Sequence, residues 1–262
     1  MSRRSRVRGS MVPEAEFTSY YGRPILKAPT WKNPDVPLYL WLGGMAGTSA
    51  VVAALADATG RPVLRRGGRL VAAGGAALGT VALIHDLGRP ARFLNMLRVL
   101  KPTSPLSVGS WILAPFATAA SAAAASEVTG IAPALGRAAG WGAAAFGPPL
   151  ASYTGVLLAD TAIPAWHEAH GELPVLFAAS GAAAGAGAQL VITGLAGADR
   201  RERGPLARLA VLVAAKDEAD RRRHTLRIVP GSRIVTRALE ATGLLGIFDI
   251  AEGVPQALEP TG

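Results

Sequence analysis

The sequence predicts an all-α integral membrane protein. About five transmembrane helices form a four-helix bundle core plus one helix, and an interfacial amphipathic C-terminal segment follows. Three observations predict this. The 262 residues have a mean hydropathy of +0.30 and only 17% are charged, where soluble domains carry about a quarter. The charge is gathered between long apolar runs rather than spread along the chain. Those runs approach the ~20 residues that cross a hydrocarbon core, and they are rich in Gly and Ala, the residues that let helices approach closely in lipid.

Residues 1–35 read as a polar N-terminal tail. Arg3, Arg4, Arg6 and Arg8 are followed by no apolar core, so no cleavable signal peptide is expected and insertion falls to the first span. The spans are Val36–Ala56, a short Leu70–Ile84, Leu106–Ala125, Ala138–Ala159 and Leu173–Ala198. Gly43/Gly47, Gly75/Gly79 and Gly181/Gly185 repeat at four-residue spacing and are candidate contact stripes, although an Ala/Gly-rich composition alone also produces such pairs. Beyond Ala198 arginine becomes dense. Leu206–Ala215 is too short to span and reads as a helix lying in the interface plane. Leu239–Ile250 is also short, so residues 199–262 form a basic amphipathic C-terminal region.

The net charge is +9 and the pI near 10.7. In a soluble protein this would suggest nucleic acid. Here the basic clusters flank apolar runs, and the positive-inside rule accounts for them without a nucleic-acid partner. Connector 57–69, with Arg61, Arg65, Arg66 and Arg69, shares the cytoplasmic side with the C-terminal region. Connector 160–172 holds Asp160, Glu168 and Glu172 but no Lys or Arg, and it shares the outer side with residues 85–105 and the N-terminus. The N-terminal tail and residues 85–105, with Arg89, Arg92, Arg98 and Lys101, are basic as well, so the inverted orientation stays open. There is no cysteine, which excludes disulfides, Cys-ligated zinc and an iron–sulfur cluster held by this chain in the usual way.

The most informative stretch is His85–Trp111, HDLGRPARFLNMLRVLKPTSPLSVGSW. It places an acid, a histidine, several basic residues and three prolines where a helix should leave the bilayer. The other outer helix ends add Asp35, Tyr39 and Asp160. Tyr153 stands seven residues before Asp160, two helical turns or about 10 Å along one face. Apart from Asp57 and Glu127, the membrane-edge ionisable groups gather on this side. Such groups are costly in lipid and usually mark a site or pathway. The set suits a quinone, whose carbonyls want donors such as Tyr or His, whose protons need a carboxylate or His, and whose tail wants an apolar Gly/Ala-lined slot. Trp166 reads as an interfacial belt residue. His167 and His170 lie in a loop and make a weak metal pair, so no metal site is expected. Haem would need axial histidines within the helices, and His85 at an edge is the only one near them.

These residues resemble the NrfD/polysulfide reductase membrane-subunit family. The resemblance covers roughly Asn33 to Ala198. It rests on LYLWLGGMAG at Leu38–Gly47, then on Asp86-Leu87-Gly88-Arg89-Pro90, Arg92-Phe93, Lys101-Pro102-Thr103-Ser104-Pro105 and Gly109-Ser110-Trp111. Tyr153-Thr154-Gly155-Val156-Leu157-Leu158, with Pro164 and Trp166, completes it. The N-terminal Tyr20-Tyr21-Gly22 and Pro24, and Gly246-Ile247-Phe248-Asp249 near the C-terminus, are weaker matches.

The resemblance implies a quinone-reactive anchor in the bacterial inner (plasma) membrane, crossing it several times. Its partners would be a four-cluster iron–sulfur subunit, a molybdopterin catalytic subunit, membrane lipid and menaquinone. It implies a quinone contact for Tyr153 and, at the opening of the first helix, for Asp35 and Tyr39, where the family often has Asn and His. His85 and Asp86 would relay protons, and Asp160 and Arg89 would line or flank the site. Many members have eight or more spans in two bundles; this chain runs short after the fifth, so coupling to proton pumping is not expected of it. A purely structural anchor is the competing reading. A small transporter is another, but it would place its charges near the midplane rather than at one edge.

Overall fold

The computed structural model describes residues 31–204, 206–208, 227–228 and 249–250. Among the described residues, seven helices lie between residues 31 and 196: α1 (Asp35–Ala58), α2 (Pro62–Leu87), α3 (Pro90–Met96), α4 (Pro105–Thr129), α5 (Pro133–Ala159), α6 (Pro164–Glu168) and α7 (Glu172–Leu195). Proline stands at the first turn of α2, α3, α4, α5 and α6, where its fixed φ suits the helix and its missing N–H costs nothing. Gly88 ends α2 at φ 72° and Gly130 ends α4 at φ 72°, a conformation glycine adopts without strain.

Five of these helices are long. Four of them, α1, α2, α4 and α7, are long and apolar enough to cross a membrane. The fifth, α5, is 27 residues long and carries Pro148 and Pro149 inside it, and it packs between the others. Hydrophobic and small residues of α1 are buried along most of its length, with α2, α5 and α7 around it and α4 closing the far side of α2 and α5. The core joins Tyr39, Leu83, Leu113, Phe116, Leu150 and Tyr153. Leu78, Val81, Trp141, Val156, Leu176, Val191 and Leu195 stay exposed on the outer faces, an apolar belt suited to lipid rather than water.

Backbones touch where the glycines lie. A side chain on Gly47 would overlap the Gly147 carbonyl, and one on Gly181 would stand 2.9 Å from the Gly44 Cα. Thr48 Oγ1 donates to the Gly181 carbonyl at 2.8 Å, an interhelical bond between α1 and α7.

The second span differs most from expectation. The second span extends to Pro62–Leu87, so Arg65, Arg66 and Arg69 lie within a helix and not in a connector. The physical reason is pairing. Glu127 of α4 accepts from Arg65 Nη2 at 2.9 Å and Arg69 Nη1 at 2.6 Å, while Asp57 of α1 accepts from Arg65 Nη1 at 3.2 Å. The charges are compensated inside the bundle end, and the helix continues through them.

The C-terminal region falls mostly outside the described residues, as do the weak motifs at Tyr20 and Gly246. Residues 200–204 and 206–208 are helical, and Leu206 is buried against Ala56 and Leu64. This start of the expected interfacial helix is thus fastened to α1 and α2. Arg227–Ile228 (β1) and Asp249–Ile250 (β2) form a short parallel pair, which the all-helical expectation did not include.

Candidate functional site at the His85 end of the bundle

Helix alternation brings the start of α1, the end of α2, the start of α4, the end of α5 and the start of α7 to one end of the bundle. Two arrangements of polar residues stand there.

The first closes α1 against α2. His85 Nδ1 lies 2.6 Å from Asp35 Oδ2, with the His85 side chain 73% exposed. Asp86 does not partner His85; its Oδ1 accepts from the backbone N–H of Lys32 at 3.3 Å. Lys32 Nζ donates to the His85 carbonyl at 3.1 Å. Next to it, Trp31 stacks on Trp166 of α6 with ring centroids 5.8 Å apart. Arg92 donates to the Leu87 carbonyl at 2.9 Å and steadies the turn into α3, while Arg89 stands exposed just before that helix.

The second is a cavity of about 470 Å³ between α4, α5 and α6. The start of α4 and the turn before it contribute Pro102, Thr103, Pro105 and Val108. The end of α5 contributes Tyr153, Val156, Ala159 and Asp160, and the connector after it His167 and His170. The motif residues between α3 and α4 hold this wall in place: Ser107 Oγ accepts from the Lys101 N–H at 3.0 Å, and Ser110 Oγ donates to the Ser107 carbonyl at 2.8 Å.

Tyr153 is 6% exposed, its ring lies against Gly109 of α4, and its buried hydroxyl has no hydrogen-bond partner among the described residues. Ser49, Thr154 and Gln189 also carry unpartnered buried polar atoms, but none of them lines this cavity. A buried hydroxyl without a partner costs about 1–3 kcal/mol.

The structure therefore sorts the sequence-predicted residues into groups. Tyr153 and Asp160 share the cavity. Asp35, His85 and Asp86 belong to the α1–α2 closure and do not line it. Tyr39 is 3% exposed and sits in the core beside Tyr153. Lys32, Gly109, His167 and His170 take part without having been singled out for this site. Gly109 stood within the GSW motif, while Lys32 gave no signal in the sequence. A second cavity of about 440 Å³, on the flank between Trp41 of α1 and Leu176 of α7, has no titratable side chain. Among the described residues no cluster of three or more His, Asp or Glu side chains is arranged to hold a metal ion.

The NrfD polysulphide reductase family matches residues 29–219, well over half of the chain. The chain belongs to this family. The match spans all seven helices described above, including both polar arrangements at the His85 end. No curated protein and no solved structure matches the chain. As an NrfD-family protein it is a multi-pass membrane subunit of a quinone-linked oxidoreductase complex. The cavity has apolar walls from Pro105, Val108 and Val156, and Tyr153, Asp160 and two histidines also line it, a set compatible with a quinone headgroup.

Proposed function

We propose that this chain is the quinone-reactive membrane anchor of a molybdopterin/iron–sulfur oxidoreductase complex in the bacterial plasma membrane. It passes electrons between a four-cluster iron–sulfur partner and menaquinone. A bound quinone supplies the two-electron, two-proton chemistry. The chain's own residues do the rest. Tyr153 donates a hydrogen bond to a quinone carbonyl. Val108, Val156 and the prolines of the α3–α4 turn exclude water from the ring. The connectors 88–104 and 160–171 present the surface on which the iron–sulfur partner docks, with Arg89 and Arg92 available to acids of that partner. The arginine-rich opposite end sits in the cytoplasm, as the positive-inside rule requires.

The observation that carries this reading is that Tyr153, whose buried hydroxyl has no partner among the described residues, lines a largely apolar cavity at the His85 end of the bundle. The experiment is Tyr153→Phe in the intact complex, assayed with its catalytic partner by two routes. Quinone-coupled turnover should fall at least tenfold, about 1.4 kcal/mol, while electron exchange with a soluble dye at the catalytic subunit stays at the wild-type rate. Wild-type quinone turnover in the variant removes Tyr153 from the site and the cavity from the reading.

A further inference from the structure

We infer that His167 is the side chain that exchanges a proton with the quinone headgroup in the Tyr153 cavity, and that His170 links it to water. This rests on the quinone reading of that cavity. The sequence pointed to His85 for the role, but the geometry separates the two histidines. His85 is engaged by Asp35 at 2.6 Å in the α1–α2 closure and is not among the residues lining the cavity. His167 and His170 both line it, together with Tyr153 and Asp160.

The hydrogen bonds fix which nitrogen of each ring is available. His167 Nδ1 lies 3.2 Å from the Ala159 carbonyl, and a carbonyl only accepts, so Nδ1 carries the hydrogen. That leaves Nε2 as the proton-exchanging atom, an acceptor when the ring is neutral and a donor when it is charged. The same bond ties the ring to the last turn of α5, the helix that carries Tyr153. His170 repeats the arrangement one step outward: its Nδ1 lies 3.1 Å from the His167 carbonyl, and the two ring centroids are 6.4 Å apart. Both side chains are exposed, so the pair reaches from the cavity wall to solvent. Among the described residues, the other ionisable groups lining the cavity are Asp160 and Tyr153.

On reduction, two electrons arrive from the partner's iron–sulfur cluster and two protons are consumed. The His167 Nε2–H bond breaks as one carbonyl oxygen gains its hydrogen. The second proton enters from water at the cavity mouth, and water then reprotonates Nε2 through His170. Oxidation of the quinol runs the same steps backwards, the electrons returning to the cluster.

The test uses the whole complex in membranes and compares His167→Asn, His85→Asn and Tyr153→Phe. His167→Asn should lower quinone-coupled turnover at least tenfold, leave the dye reaction of the catalytic subunit unchanged, and regain turnover when free imidazole is added. His85→Asn should lower it less than threefold. If His85→Asn loses turnover and His167→Asn does not, the proton passes at His85 and the inference is wrong. If both histidine variants work and only Tyr153→Phe fails, the quinone reading survives and His167 does not. If all three keep full turnover, the quinone reading fails with it.

A second readout does not depend on turnover. Diethyl pyrocarbonate modifies a free imidazole nitrogen, and mass spectrometry locates the adduct. In the wild-type complex His167 should be labelled, and a quinol-analogue inhibitor, 2-heptyl-4-hydroxyquinoline N-oxide, should protect it several-fold. Equal labelling with and without the analogue, or no labelling at all, overturns the inference, because Nε2 must meet both the headgroup and water. Should His167→Asn fail to assemble, His167→Gln under the same assays takes its place.

Discussion

Gly109 makes the place in which Tyr153 sits. The two residues are on neighbouring helices, α4 and α5, and a Cβ on Gly109 would stand 2.6 Å from the Cζ of the Tyr153 ring. No real side chain tolerates that approach, and the obstacle is a ring wedged in the core rather than a flexible chain end. The glycine of the GSW motif therefore acts on the cavity through the tyrosine of the YTG motif, which joins two distant parts of the sequence into one feature.

Gly109→Ala tests this directly. The ring must shift or the helices must part, at a cost of about 1–3 kcal/mol typical of overpacked cores. We expect the purified complex to unfold a few degrees lower. We also expect quinone-coupled turnover to fall as it does in Tyr153→Phe, because the side chain that lines the cavity is displaced. Turnover equal to the wild type would mean that the position of the Tyr153 ring does not matter to the reaction.

The glycine pairs make a second prediction, with a built-in control. Gly47 meets the Gly147 backbone, whereas nothing lies within 4 Å of a Cβ placed on Gly43. Gly47→Val should prevent α1 from packing on α5 and sharply reduce the yield of folded protein, while Gly43→Ala should be neutral within about 0.5 kcal/mol. Comparable yields of monodisperse protein in detergent for both variants would show that the α1–α5 contact is not needed for folding.

That contrast shows what the sequence could and could not tell. Four-residue spacing picked out Gly43/Gly47, Gly75/Gly79 and Gly181/Gly185. Gly181 and Gly185 both meet α1, at Gly44 and Thr48, and Gly75 meets Ala46, but Gly79 has more room and Gly43 is open. Spacing places residues on a stripe; which members of the stripe touch depends on where the neighbouring helix crosses, and that is a property of two sequences together. The spans were legible because hydropathy is a local sum. The pairing of His85 with Asp35 instead of Asp86 was not, because the partners are fifty residues apart in sequence. The Tyr153 cavity was half legible: Tyr153 and Asp160 lie two turns apart on one helix, while Gly109 and His167 reach it through tertiary packing.

The arginines at the other end of the bundle supply the third prediction. Positive-inside reasoning treated Arg65 and Arg69 as connector charges, yet Arg69 is 7% exposed and both donate to Glu127. Removing one partner of a buried pair is far more damaging than replacing both, because it strands a charge. Glu127→Gln should cost about 3 kcal/mol, read as a clear fall in unfolding temperature. The double variant Glu127→Leu/Arg69→Leu should recover part of that loss, with Arg65 still held by Asp57. An unchanged unfolding temperature in Glu127→Gln would show the cluster to be an ordinary solvated surface.

The stacked pair Trp31 and Trp166 gives the last. Trp166 alone looked like a belt residue anchoring a loop in the headgroup layer. Its ring instead lies 9° from parallel with that of Trp31, so the segment before α1 is clasped to the connector that carries His167. Lys32 adds its bonds to Asp86 and the His85 carbonyl. The segment before α1, the end of α2 and the connector that carries His167 are thereby tied at one end of the bundle, across both polar arrangements. An aromatic pair of this kind contributes about 0.5–1.5 kcal/mol beyond its buried area, enough to shift local opening several-fold without unfolding the bundle. In Trp31→Ala, tryptic cleavage after Lys32 should become several-fold faster in detergent, while the unfolding temperature of the bundle changes little. Trp41→Ala, which removes a ring that is 52% exposed on the outer face of α1, should leave the cleavage rate at the wild-type value. Equal cleavage rates in all three proteins would mean that the stack does not restrain the segment, and the bonds of Lys32 would then hold it.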